Sequence, residues 1–182
     1  VSIIDKSNQF ILGSLPVRIG ADIVSLVLEL IEQAKKFVHI EMTLFDRGFV
    51  DYRLIDSLQK VGVRYQIFWR KDKRTKKIFK KMKRGELKEN TYTGKYSRNK
   101  SSFKVITRFV YIKKYKRHKK SEAYDWVFAT NAGIEQLGRV VPVYKKRWRI
   151  ETGFRVQDEA RIKCKSTNML IRYFIFLFEQ ML

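Results

Sequence analysis

Apolar and polar positions along the chain follow two periods, one near two residues and one near 3.6, and the switches between them mark the elements. Residues 1–4 and 9–17 are rich in β-branched and apolar side chains around the polar run Asp5-Lys6-Ser7-Asn8, which predicts two strands joined by a turn. Over residues 22–36, Ile23, Val27, Leu30 and Ile31 fall at helical spacing, with Asp22 placed as the N-terminal cap. Residues 38–45 predict a strand with Ile40, Met42 and Leu44 on one face, and Asp46 stands at its end before Arg47-Gly48-Phe49. A second helix is expected over 51–60, and Val61-Gly62 turns the chain into a strand that ends at Trp69. Later come strands over 103–112 and 125–130, a long helix from about 143 to 161, and an apolar closing helix. Strand and helix in alternation predict an α/β layered fold.

The closing segment, Met169 to Phe178, is shorter than the ~20 residues a bilayer requires and is interrupted by Arg172. A buried helix is expected there, and no membrane partner.

Charge changes the picture. The 182 residues carry a formal net charge of +22 with a pI near 10.2, while 45% apolar and 14% aromatic content argue for a folded chain. Residues 70–120 hold 22 Lys and Arg against three acids, Asp72, Glu86 and Glu89; the remainder is close to neutral. The sequence therefore reads as a body over 1–69 and 121–182 interrupted by a basic insertion module over 70–120. A charge run of this kind is a solvated tail or a module that lies along phosphates. The aromatic and β-branched residues threaded through it, Phe103 to Ile112 above all, favour a partly β-stranded module. The single cysteine, Cys164, excludes an internal disulfide framework. With Val1 first and no signal pattern, the reading is of a cytoplasmic, nucleoid-associated protein whose sequence opens in mid-chain.

Two segments carry chemistry. Asp46 sits where open α/β sheets bind ligands, at the carboxyl end of a strand, although a turn former or helix cap occupies that place as readily. In Tyr144-Lys145-Lys146-Arg147-Trp148-Arg149-Ile150-Glu151, the residues Tyr144, Arg147 and Glu151 fall within roughly 60° on a helix. By itself such a trio is equally a surface ion-pair cluster. His39 and His118 lack spaced partners for zinc, Cys164 lacks a paired base, and no Gly-rich loop announces a nucleotide cofactor.

The Tyr-x2-Arg-x3-Glu spacing resembles the Tyr-Arg-Glu-Lys signature of DDE transposases of insertion-sequence group four. Leu44-Phe45-Asp46-Arg47-Gly48-Phe49 is similar to that family's block around the second catalytic Asp, and Phe128-Ala129-Thr130-Asn131 to the strand before the signature helix. The resemblance implies a ribonuclease-H-like fold with a strand-rich insertion between the second Asp and the Glu. It implies three carboxylates that hold two Mg²⁺ (or Mn²⁺) ions for DNA cleavage and strand transfer at mobile-element ends. Asp46 and Glu151 correspond to catalytic metal ligands, and Tyr144 and Arg147 to DNA phosphate contacts. DNA is the implied partner, with a homo-oligomer in a synaptic complex. Two departures stand out. The signature's final Lys is Asp158 here, and the family's first Asp has no counterpart, Asp5 lying in the expected hairpin turn, so the first catalytic strand is expected to be missing. A non-enzymatic basic nucleic-acid-binding protein, a nuclease without strand transfer and an inactive transposase remnant are the competing readings.

Overall fold

The computed structural model describes residues 2–5, 8–98, 101–113, 124–133, 138–148 and 162–179. These form two compact units, one of residues 1–39 and 145–182, the other of residues 40–144.

In the first unit, β1 (Ser2–Asp5) and β2 (Asn8–Ile11) pair antiparallel, Asp5 opposite Asn8, so the hairpin expected from the sequence is present with a shorter second strand. Helix α1 (Ile23–Lys35) begins where the cap residue predicts, since the Asp22 carboxylate accepts hydrogen bonds from the Val24 N–H at 3.2 Å and the Ser25 hydroxyl at 2.8 Å.

The second unit is built on one sheet. Its strands are β3 (Thr43–Phe45), β4 (Tyr65–Phe68), β5 (Leu87–Arg98), β6 (Ser101–Ile112) and β7 (Trp126–Thr130), in the spatial order β3-β4-β7-β6-β5. The β3–β4 pair is parallel and the others antiparallel, so the fold is mixed α/β. A parallel pair needs a crossover, and α2 (Tyr52–Lys60) supplies it, capped by Asp51 and burying Leu54, Ile55 and Leu58. The turn from α2 into β4 passes through Gly62 at φ 67, a left-handed conformation that side chains oppose. Strand β6 lies between β5 and β7, so the strands of the basic segment are continuous with the sheet of the body.

One face of the sheet receives α2 and α3 (Lys73–Lys81), with Phe79 of α3 edge-on to Tyr111. On the other face, α4 (Val140–Lys145) closes a cluster of Phe68, Val110, Ile112, Trp126, Phe128, Val140, Val141 and Tyr144. Three expectations change. The strand foreseen over 38–45 is regular only at Thr43–Phe45, and α3 and β5 arise in polar sequence that periodicity left unassigned. The closing helix forms as α5 (Met169–Glu179), but its side chains are exposed: Leu170 by 77% and Phe174 by 67%. Its apolar residues occur all round the helix, so no one neighbour can cover them, and its described contacts are few, such as Tyr173 Oη donating to the Ser14 carbonyl. Among the described residues no helix is long and apolar enough to cross a membrane.

Candidate active site

Asp46 follows the last residue of β3, at the carboxyl end of the parallel β3–β4 pair. Its backbone is extended and it caps the single 3₁₀ turn Arg47–Phe49, its Oδ1 accepting from the Gly48 N–H at 2.8 Å. A side chain at Gly48 would stand 3.1 Å from that oxygen, which suits glycine to the position. The carboxylate is half-buried. Cap and ligand are thus compatible roles, because capping engages one oxygen and fixes the direction of the group.

Cations surround this strand end. The Arg47 guanidinium lies 4.3 Å from the Phe68 ring centroid and donates to the Tyr124 hydroxyl. Lys71 Nζ stands 4.2 Å over the Tyr124 ring. Burial, with the nearby charges of Arg47 and Lys113, holds the Lys71 ammonium below its ordinary pKa against the opposing pull of Asp125. Lys113 in turn reaches Asp125 at 3.8 Å and donates to the Phe79 carbonyl at 2.9 Å. The aromatic shelf of Phe68 and Tyr124 under Arg47 and Lys71 was not foreseen from sequence. The only available hint was Arg47 itself, adjacent to Asp46.

The signature segment is described only at its start. The helix expected over 143–161 begins earlier, at Val140, and residues 149–161 lie outside the described residues, Glu151 and Asp158 among them. Tyr144 is 1% exposed, its ring 5.3 Å from Phe68 and 5.0 Å from Phe128. It is a core residue in this structure, its hydroxyl withdrawn from solvent with the ring. Arg147 is half-buried, and Trp148 is 45% exposed with Lys145 Nζ 5.8 Å from its ring. Among the described residues no three His, Cys, Asp or Glu side chains cluster in a way that holds a metal ion. His39 is exposed and Cys164 is a free, half-buried thiol. Trp69 and Trp126 are packed in the core.

The fold is α/β with a mixed sheet, and Asp46 stands at the end of β3, next in sequence to the Arg47 that packs on Phe68. A family model described as the transposase DDE domain matches residues 17–178. The chain belongs to the transposase DDE domain family. No curated protein matches it. Members of this family generally act on DNA with divalent metal ions, and the match spans both Asp46 and Glu151.

Proposed function

We propose that the protein is a metal-dependent DNA transposase of insertion-sequence group four, with a ribonuclease-H-like core over 1–69 and 121–182 and a DNA-contacting insertion over 70–120. The observation that carries this reading is the coincidence of a family match with Asp46 at the carboxyl end of a parallel strand, where α/β sheets place their ligands. Asp46 and Glu151 are the proposed metal ligands. Carboxylate oxygens suit hard divalent cations, and the Gly48 N–H presets the Asp46 group without consuming it. Bound Mg²⁺ supplies charge stabilisation to an in-line phosphoryl displacement.

The chain's own residues do the rest. Arg147 holds a DNA phosphate, its planar guanidinium suited to two parallel hydrogen bonds. The resemblance to the family gives Tyr144 a phosphate contact as well; its burial favours a positioning role, in which the ring fixes the start of the signature segment ahead of Arg147. The basic insertion holds DNA by charge.

The experiment is cleavage and joining of a duplex bearing the element's ends in Mg²⁺ or Mn²⁺, with D46N and E151Q in parallel. Both variants are expected to lose turnover and Mn²⁺ binding while DNA binding persists. Turnover undiminished in either would remove that residue from the site. Asp158 favours a second reading, an inactive remnant, since an acid where the family places Lys repels phosphate. That reading is correct if D158K gains no activity and the wild-type chain has none.

A further inference from the structure

Strands β5 and β6 pair along their whole length, from Leu87↔Ile112 to Arg98↔Ser101, whereas β7 pairs only with Arg108 to Ile112 of β6. The rest of the hairpin runs past the sheet as a two-stranded ribbon. Alternation gives the ribbon two faces, and one of them is filled by α2. There Gly94 meets the Tyr52 ring, Tyr96 Oη donates to Asp56 at 2.6 Å, and Thr107 bonds Tyr65 at 2.8 Å. Val105 and Thr107 are 2% and 3% exposed on that side.

The opposite face is open. Thr93, Lys95, Lys104 and Ile106 are all exposed there, Ile106 by 62%. Lys95 and Lys104 are register partners, so two ammonium groups project from directly opposed positions. Like charges so placed destabilise a strand pair. Among the described residues neither lysine has an acid, and Glu89, further down the same face, is engaged by Arg108 at 3.5 Å. Folding alone does not account for this arrangement, because either lysine replaced by threonine would suit the ribbon better. An anion bridging the pair would.

We propose that this open ribbon face is a contact surface for duplex DNA, with Lys95 and Lys104 on neighbouring phosphates and the Thr93 hydroxyl beside them. The proposal rests on the transposase reading for the identity of the polyanion and adds the face that meets it. Helix α3 also bears exposed lysines, Lys76 and Lys77, but it packs on the far side of the sheet, so a stiff duplex seated on the ribbon misses them.

The test measures affinity of the full chain for duplex DNA across a salt series, comparing K95Q/K104Q with K76Q/K77Q, two variants that lose equal charge. The ribbon variant is expected to lower the slope of log affinity against log salt by about two, which is roughly eightfold per lysine at 0.1 M salt. The α3 variant should move it much less. The ribbon variant should also melt no lower than wild type, since a repulsion is removed; this separates lost contact from lost fold. Equal effects from both variants, or none from the ribbon, overturn the face assignment and leave the transposase reading standing. Failure of the wild-type chain to bind DNA at all overturns both. Binding of heparin as tightly as duplex, with the same response to K95Q/K104Q, overturns duplex DNA as the partner.

Discussion

The two faces of the central sheet are built from different materials. Against α4 the contact is mostly hydrocarbon: Phe68, Val110, Ile112, Trp126 and Phe128 meet Val140, Val141 and Tyr144, with stacked or tilted rings 5–6 Å apart, and one buried hydrogen bond, from Gln66 Nε2 to the Val140 carbonyl at 2.6 Å, crosses it. Against α2 and α3 the aromatic residues are laced with polar groups. Arg74 lies 3.7 Å over Tyr92, Tyr65 shares hydrogen bonds with Gln59 and Thr107, and the buried Arg74 Nε has no hydrogen-bond partner. The first face is non-directional and dense, so its stability depends on volume. The second depends on geometry, since each hydroxyl or guanidinium must keep a partner or lose the benefit of being buried. Phe68 connects the first face to the candidate active site, as its ring packs in the cluster and also underlies Arg47.

The largest effect should come from the hydrocarbon face. Phe128→Ala, at a fully buried position, should destabilise the protein by about 3–5 kcal/mol, read from urea or thermal unfolding. A loss below about 1 kcal/mol would mean that this face is not a packed core. Gly94→Ala is the corresponding challenge to the polar face. A Cβ there would stand 2.2 Å from Tyr52 Cδ1, so the ring or the strand must shift, at a cost of about 1–3 kcal/mol. The double variant Gly94→Ala/Tyr52→Ala should recover part of that loss, and no recovery would place the strain elsewhere.

The smallest effect is a pH dependence that arises on the polar face. Burial, and secondly the neighbouring Tyr92, push the Tyr52 phenol up to about 12 from 10.0. The folded state therefore holds this proton more tightly than the unfolded chain. Its contribution is complete below pH 10 and is lost as pH rises towards 12. Tyr52→Phe should make the fall in stability across that window shallower, by chemical denaturation at pH 9 and 11, and leave the slope below pH 9 unchanged.

The two faces also differed in how far the sequence revealed them. β4 and β7 are short apolar runs bounded by turn residues, and the helix caps Asp22 and Asp51 sit directly before their helices, so these elements were legible. β5 was not: Leu87 to Arg98 is mostly polar because one side meets solvent, its far edge has no partner strand among the described residues, and on its inner side glycine and tyrosine stand in for aliphatic residues. α3 was hidden for a related reason, since only Thr75 and Phe79 of its nine residues are buried. The closing segment erred in the other direction. Its composition implied burial, but burial needs a partner surface as well as apolar residues, and composition does not report one. At the candidate site, Asp46 was legible from its place after a strand, whereas the Phe68 and Tyr124 shelf joins residues 56 apart in sequence that no local pattern connects.

The sheet ends on one side in β3, three residues long, and on the other in β5, twelve residues long. A short edge offers little to a stray strand, but a long one is a template for aggregation unless something repels the newcomer. Along β5 that repulsion comes from the exposed Lys95, since Lys88 is paired with Glu86 at 3.1 Å; the Lys95 charge keeps two copies of the same edge apart. Salt weakens this repulsion over the same range in which it releases bound polyanions, because both depend on one screening length. High salt used to strip nucleic acid from the protein therefore also uncovers its most adhesive strand, and filament or precipitate formation should follow the loss of the ligand.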